Sequence, residues 1–190
     1  MSSDSTSRTK DNEVSTEKKL DDLYTLIDGI EVAMMTTRRP DGYLVSRPMQ
    51  VQQRELDSDM WFVTNIHSHK LDELESDPHV NLSFYKDRTR EWVSVSGTAR
   101  VSQDRAKIRQ LYKADWKAWF GDNGGAENGG PDDPRMALVF VDAQSVTYLK
   151  SDKPQPIVLY EIVKGLVTGK AAKTGDLREL SEHELKGASA

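Results

Sequence analysis

The chain has 190 residues, of which 36% are hydrophobic, a formal net charge of −5 and no cysteine. This length and composition indicate one domain with its own core, and the acidic balance argues against a nucleic-acid partner, which requires a basic face. Without cysteine, disulfides, thiolate metal sites and cysteine nucleophiles are excluded, and we expect a cytoplasmic protein with neither a membrane span nor a secretory leader.

The N-terminal part is predicted to be a polar tail followed by a helix. Residues 1–15 contain almost no apolar side chain, so they bury too little to offset the entropy of ordering and are expected to be disordered. Thr16 can cap the start of the helix and Gly29 its end. Apolar positions then recur at the spacing i, i+3, i+4, i+7 of one helical face: Leu20, Leu23, Tyr24 and Ile27.

Five strands are predicted next, over residues 31–37, 43–51, 60–64, 80–85 and 92–101. An Asp41-Gly42 turn joins the first two, because Asp-Gly readily adopts the positive φ of tight hairpins. Pro48 cannot donate to a strand ladder, so the second strand is expected at a sheet edge or a bulge. A bulge would re-aim the neighbouring Arg47.

The third strand ends in a polar turn that opens onto a short helix, which Asp77-Pro78 ends. The turn carries Thr64, Asn65, Ser68 and Lys70. A helix start has unpaired N–H groups and a partial positive charge, so together these residues predict a site for an anion such as phosphate. The alternative is a Ser-capped helix with a solvated lysine, which is the more common outcome for such a turn taken alone.

The C-terminal half is predicted to hold one long helix and further strands. The helix spans 103–120, with an aromatic face formed by Tyr112, Trp116, Trp119 and Phe120. Residues 121–134 are expected to form a mobile loop, which cannot bind phosphate because it has four carboxylates and no lysine. Strands are predicted over 136–141, 145–149 and 158–163, and residues 164–190 are predicted to be a polar tail.

These elements predict a mainly β fold with flanking helices, in a domain spanning residues 16–163. About seven short, mostly consecutive strands favour an antiparallel sheet or barrel.

The order of the motifs resembles that of the pyridoxamine phosphate oxidase-like flavin proteins over roughly residues 20–150. The greatest likeness is to their general stress protein branch, which includes fungal blue-light-inducible proteins. The motifs that carry the resemblance are Ser46-Arg47-Pro48-Met49, Trp61-Phe62-Val63-Thr64, Ser68-His69-Lys70, residues 77–84 and residues 93–99.

The resemblance implies a split β-barrel homodimer with FMN at the subunit interface. Arg47, Ser68 and Lys70 match residues that bind the FMN phosphate in the family, and Thr64 and Asn65 match positions at the flavin ring or its ribityl chain. FAD is the runner-up cofactor, and related barrels also admit a deazaflavin. The expected cofactor-binding set is Arg47, Pro48, Met49, Thr64, Asn65, Ser68, His69, Lys70, Trp116 and Phe120.

Two departures from the family argue against oxidation of pyridoxamine phosphate. Residues 177–183 do not match the arginine- and histidine-bearing motif that binds the substrate phosphate, and Trp92 stands where those oxidases tend to have a flavin-contacting glutamine. The resemblance therefore supports a cofactor more than a reaction. Three hypotheses stay open: an FMN-dependent oxidoreductase acting on a small molecule, a flavin-binding stress or sensor protein without turnover, and a cofactor-free interaction protein.

Other sites have weaker support. His67 and His69 share a face on an extended chain and could ligate a metal with His79 or Asp72, but nothing marks a third ligand and no metal is expected. The chain has no Gly-x-Ser-x-Gly nucleophile motif. Trp116, Trp119 and Phe120 fit a core, a dimer seam or a flavin lid, and core or seam is the commoner outcome for aromatic residues at helical spacing.

Overall fold

A computed structural model describes residues 13–52, 60–151, 157, 160, 163–164, 167–168 and 175–187. The helices are α1 Thr16–Asp28, α2 His69–Ser76, α3 Arg105–Leu111, α4 Lys117–Phe120 and α5 Glu182–Gly187, with a 3-10 turn at Ala114–Trp116. The strands are β1 Val32–Arg38, β2 Leu44–Gln50, β3 Met60–Asn65, β4 His79–Lys86, β5 Glu91–Ser102, β6 Met136–Lys150 and β7 Asp176–Ser181.

The seven strands form one antiparallel sheet, which confirms the mainly β fold class. Its order is β2-β1-β4-β5-β6-β3, and β7 also pairs with β6. β6 binds its two partners along different halves: Met136 to Val141 pair with β3, and Ser145 to Lys150 pair with β7. β2 lies at an edge of the sheet, so the prediction made from Pro48 is confirmed.

The described residues divide into two compact units. The first takes its residues from Met1–Ala33, Leu82–Ser96 and Gln144–Ala190, and the second from Met34–Asn81 and Gly97–Ala143. In the first unit the apolar face of α1 is buried, and the Tyr148 hydroxyl donates to the backbone oxygen of Lys19 at 2.9 Å. Asp22, also buried on α1, is paired with Lys18, Lys150 and Arg178.

The second unit contains every residue of the expected cofactor-binding set. Its core brings α3 and α4 together with β3 and β6. The buried members of this core are Trp61, Ile108, Leu111, Trp116, Phe120, Met136, Leu138 and Phe140.

The structure corrects several predicted boundaries. Ser15 caps α1, because its hydroxyl oxygen accepts from the backbone N–H of Lys18. The predicted helix over 103–120 is broken after α3, where Tyr112 and Lys113 have ψ angles of 134° and 140°. The two strands expected over 136–141 and 145–149 are one continuous strand, β6.

The C-terminal segment also differs from the prediction. Residues 164–190 were expected to be a polar tail, but residues 176–187 form β7, which pairs with β6, and α5. The strand expected over 158–163 is wrong at its two described positions, Tyr160 and Val163, which are helical. The N-terminal tail prediction, at residues 1–12, lies outside the described residues. Within the part of the chain that is described, no helix is long and apolar enough to cross a membrane.

Candidate functional site

The turn between β3 and α2 is closed by its own polar groups. The Asn65 side-chain oxygen accepts from the backbone N–H of His67 at 2.9 Å, and the backbone N–H of Ser68 donates to the backbone oxygen of Asn65 at 3.0 Å. Ser68 occupies the N-cap position of α2, but its hydroxyl makes no capping hydrogen bond. The Ser68 hydroxyl is therefore not used to stabilise the helix start.

Lys70 is buried in the first turn of α2, with only 8% of its surface exposed. The described residues give its ammonium one hydrogen bond, to the Thr64 hydroxyl at 2.7 Å. Burial lowers the pKa of Lys70, and the positive charge of Arg47 lowers it further, while the negative charge of Glu73 raises it. The alternative of a Ser-capped helix with a solvated lysine is therefore wrong, because the serine does not cap and the lysine is not solvated.

An ammonium has three N–H donors, and a buried charge is costly unless it is paired and hydrogen-bonded. The Thr64 hydroxyl accepts a hydrogen bond from one of the three N–H donors of Lys70. An oxyanion would satisfy the others and would return the charge of Lys70 to a favourable environment. The donor set at this turn thus fits a phosphate group: a buried cation, a hydroxyl that caps nothing and the positive end of α2.

Arg47 does not project freely toward this position, because Glu73 of α2 binds its guanidinium. Its two terminal nitrogens donate to the two carboxylate oxygens of Glu73 at 2.6 and 2.8 Å, a bidentate pairing. The Thr37 hydroxyl of β1 accepts from Arg47 at 2.9 Å and donates to Glu73 at 2.5 Å. The guanidinium of Arg47 chiefly holds the pKa of Glu73 below its usual value, with help from Thr37, while burial opposes the shift.

Glu73 and Thr37 were not among the residues predicted for the site. A signal for Glu73 was present, since it lies three residues after Lys70 and therefore shares its helix face; Lys70, Glu73 and Leu74 are the buried residues of α2. Thr37 gave no comparable signal, because its importance depends on the pairing of β1 with its neighbours. The role of Arg47 at a phosphate stays a prediction, and any such role is shared with Glu73.

The other members of the expected set lie in different environments. Pro48 is exposed on the edge strand β2, and the following residue, Met49, is buried. His69 is exposed, with its ring 4.0 Å from Asp72. The described residues contain no group of three or more His, Asp or Glu side chains that could hold a metal ion.

Trp116 and Phe120 are part of the core. The Trp116 ring meets Trp61 edge-on with centroids 6.0 Å apart, and its Nε1 donates to the side-chain oxygen of Gln52 at 3.2 Å. The structure therefore supports the interpretation that these two aromatic residues belong to the core. Trp119 of α4, in contrast, is 76% exposed.

The loop after α4 is held by a buried ion pair. Arg135 donates to the Asp133 carboxylate at 2.6 and 3.0 Å and to the backbone oxygen of Phe120 at 2.9 Å. Its hydrogen bonds hold the pKa of Asp133 down to about 2, against the effect of burial. The backbone oxygen of Arg135 accepts from the N–H of Ile66 at 2.8 Å, so the same segment braces the turn before α2. The composition suggested a mobile loop, but these contacts cross-link it internally.

Comparison with known proteins identifies the family. Residues 18–173 match the family model described as pyridoxamine 5'-phosphate oxidase like. The chain belongs to this family. It is 41% identical over 179 residues to protein bli-3 of Neurospora crassa, an alignment that covers 93% of this chain and 86% of that protein.

Solved structures of general stress proteins share the fold. The general stress FMN/FAD binding protein of Xanthomonas citri matches with a TM-score of 0.57 and 23% identity, over 72% of this chain and 92% of its own. General stress protein 26 of Bacillus anthracis matches with a TM-score of 0.56 and 20% identity, over 67% and 91%. The predicted family and the split-barrel architecture are thereby confirmed.

Proposed function

We propose that this protein binds FMN as a general stress-type flavoprotein, and that Lys70 binds the FMN phosphate. The observation that carries the proposal is the burial of the Lys70 ammonium with Thr64 as its one hydrogen-bond acceptor among the described residues. Ser68 and the first backbone N–H groups of α2 would complete the phosphate site, with Thr64 and Asn65 toward the rest of the flavin. The relative from Xanthomonas citri, named as an FMN/FAD binding protein, supports a flavin.

The reaction proposed is oxidation or reduction of a small molecule. A bound flavin supplies hydride and electron transfer through its ring, and the chain's own residues bind and orient it. Oxidation of pyridoxamine phosphate itself is not part of the proposal, because residues 177–183 lack the motif expected for that substrate. The cytoplasmic location stays a prediction from the cysteine-free composition.

A homodimer is proposed from the exposed apolar side chains of the second unit. Met34 on β1 is 42% exposed. Tyr43, in the turn between β1 and β2, is 71% exposed, and Leu44, at the start of the edge strand β2, is 63% exposed. Unpaired edge strands with apolar side chains favour association with another chain. A monomer at micromolar concentration in light scattering would contradict this part of the proposal.

The decisive experiment identifies the chromophore and tests its anchor. We expect the purified protein to show a flavin absorption spectrum, and mass analysis of the released pigment to give FMN; FAD or a deazaflavin would correct the cofactor. Apoprotein should bind FMN more tightly than riboflavin, and Lys70→Met should abolish that difference. If no flavin bound to the protein, the cofactor-free interaction protein would replace this proposal.

A second experiment separates an enzyme from a binding protein. The flavin-loaded protein is mixed anaerobically with NADH or NADPH, and the flavin absorbance is followed before and after candidate acceptors are added. Reduction followed by reoxidation with turnover supports the oxidoreductase. A flavin that no donor reduces would favour a flavin-binding stress or sensor protein.

A further inference from the structure

We infer that Glu73 is a specificity-determining residue: it neutralises Arg47 and thereby limits how strongly the site prefers a phosphorylated flavin over an unphosphorylated one. The inference rests on the proposed function, since it assumes that a flavin phosphate lies at Lys70. It adds that Lys70, and not Arg47, supplies most of the phosphate preference in the natural protein.

The geometry of the Arg47–Glu73 pair limits what Arg47 can bind. The two terminal nitrogens of a guanidinium form a planar, end-on fork, which fits one carboxylate or one phosphate at a time in the bidentate arrangement. Glu73 already occupies both terminal nitrogens of Arg47, at 2.6 and 2.8 Å, and Thr37 accepts a further hydrogen bond from one of them. A phosphate can therefore engage this fork only by displacing a carboxylate that is itself buried.

Displacing Glu73 from Arg47 would also be costly. Glu73 is 4% exposed, and its other hydrogen-bond partner among the described residues is the Thr37 hydroxyl. Separating Arg47 from Glu73 would leave a buried carboxylate without its cationic partner, which is strongly unfavourable. Binding of an external phosphate to Lys70 carries no such cost, because the Lys70 ammonium has no carboxylate in direct contact among the described residues.

Glu73 also sets the net charge of the cluster that it forms with Lys70 and Arg47. Lys70 and Arg47 contribute two positive charges and Glu73 one negative charge, so the cluster presents one net positive charge to an incoming anion. Arg39 also acts on Glu73, but it is more exposed and is paired with Asp41 at 2.7 Å. Removing the charge of Glu73 would double the net positive charge at the site while leaving an oxygen that can still accept from Arg47.

The test compares dissociation constants of apoprotein for FMN and for riboflavin, which differ only by the phosphate. Their ratio isolates the contribution of the phosphate from that of the flavin ring. In Glu73→Gln the ratio of the dissociation constant for riboflavin to that for FMN should rise roughly 10-fold at pH 7.5, because one opposing charge is lost within the cluster. Riboflavin affinity should be unaffected. Glu75→Gln, the same charge change at an exposed position on the same helix, should leave the ratio as it is.

Two further variants separate charge from position. Glu73→Asp keeps the negative charge and should not raise the ratio. The double variant Arg47→Met with Glu73→Gln has the net charge of the natural cluster and should keep the FMN preference, because Lys70 supplies it. Loss of the preference in that double variant would show that Arg47 binds the phosphate in the natural protein, and would overturn the inference.

The outcomes also distinguish this inference from the proposed function. If the natural protein bound no flavin, or if Lys70→Met kept the FMN preference, the proposed function would fail. If Lys70→Met lost the preference but Glu73→Gln did not raise it, the proposed function would stand and the role of Glu73 would be refuted. Circular dichroism and the Tm of each variant confirm that the comparison is made on folded protein.

Discussion

Arg135 donates hydrogen bonds to both carboxylate oxygens of Asp133. Its guanidinium also donates to the backbone oxygens of Phe120, Gly121 and Glu127. One buried side chain thus joins the end of α4, the middle of the following loop and the start of β6. Because the backbone N–H of Ile66 donates to the backbone oxygen of Arg135, this arrangement also supports the turn that carries Lys70.

Replacement of Arg135 by methionine should strongly destabilise the second unit. The substitution leaves the buried carboxylate of Asp133 without its cation and removes a hydrogen bond from each of three backbone oxygens, those of Phe120, Gly121 and Glu127. We expect the Tm to fall by roughly 10 °C, and amide exchange in the loop over 121–134 to accelerate. The matched control is Arg109→Met, which removes an exposed pairing with Asp132 and should change the Tm little. Equal Tm values for the two variants would show that the buried hydrogen bonds of Arg135 do not stabilise this unit.

Stability should fall in acid as Asp133 takes up a proton. Its pKa is about 2 in the folded chain, compared with 3.8 for an ordinary aspartate. A carboxyl group whose pKa is lower in the folded chain than in the unfolded chain stabilises the protein at any pH above the unfolded pKa. That stabilisation is lost as the pH falls from about 4 toward 2. Glu184, whose pKa is also lowered to about 2 by Ser181 and Lys19, contributes in the same window.

The measurement is the free energy of unfolding in urea between pH 5 and pH 2. Asp133→Asn should flatten the curve, and Glu184→Gln should flatten it independently, because the two carboxylates belong to different units. A curve for Asp133→Asn that is as steep as that of the natural protein would show that Asp133 does not titrate in this window.

The strands were largely predictable because period-2 alternation and turn residues are local signals. The continuity of β6 was not predictable. Asp142 and Gln144 are polar residues typical of a turn, but Ala143 between them is buried in the strand. β7 was missed for a related reason: residues 176–181 form a strand only because β6 offers a free length of edge. Such pairing between distant segments is tertiary information.

The candidate cations, Arg47 and Lys70, could be chosen from the sequence, but their pairing could not. Lys70 became a candidate because a strand, a polar turn and a helix start adjoin in the chain, and its role at a phosphate stays a prediction. Glu73 is near Lys70 in sequence, but its bond to Arg47 depends on β2 facing α2, which no local pattern encodes. The aromatic residues of the predicted helix over 103–120 were ambiguous because helical spacing serves a core and a ligand lid equally.

Gly97 on β5 should tolerate no side chain. A methyl group at its Cα would lie 2.1 Å from the backbone oxygen of Asp142 and 3.0 Å from its carbonyl carbon. Both contacts are with backbone, so β5 and β6 would have to separate. Gly97→Ala should therefore cost about 3 kcal/mol of unfolding free energy. Gly187→Ala, where nothing lies within 4 Å, is the control and should cost nothing; a similar effect of the two substitutions would contradict the close approach.

Lys70→Met should stabilise the ligand-free protein while it removes the phosphate preference. The buried ammonium has one hydrogen-bond acceptor among the described residues, and methionine fills a similar volume without the desolvation cost. We expect a gain of about 1 kcal/mol in unfolding free energy at pH 7. Lys117→Met, at an exposed position on α4, should show no such gain.

The gain should also depend on pH in a defined direction. Burial and Arg47 lower the pKa of Lys70 below its ordinary 10.5, so the folded protein releases this proton more readily than the unfolded chain. The natural protein is therefore penalised below the folded pKa and recovers as the pH rises from there toward 10.5. The advantage of Lys70→Met should shrink over that range in chemical denaturation. An advantage that is constant with pH would mean that packing, and not the buried charge, explains the gain, whereas a shrinking one would identify Lys70 as a residue that lowers stability in order to bind an anion.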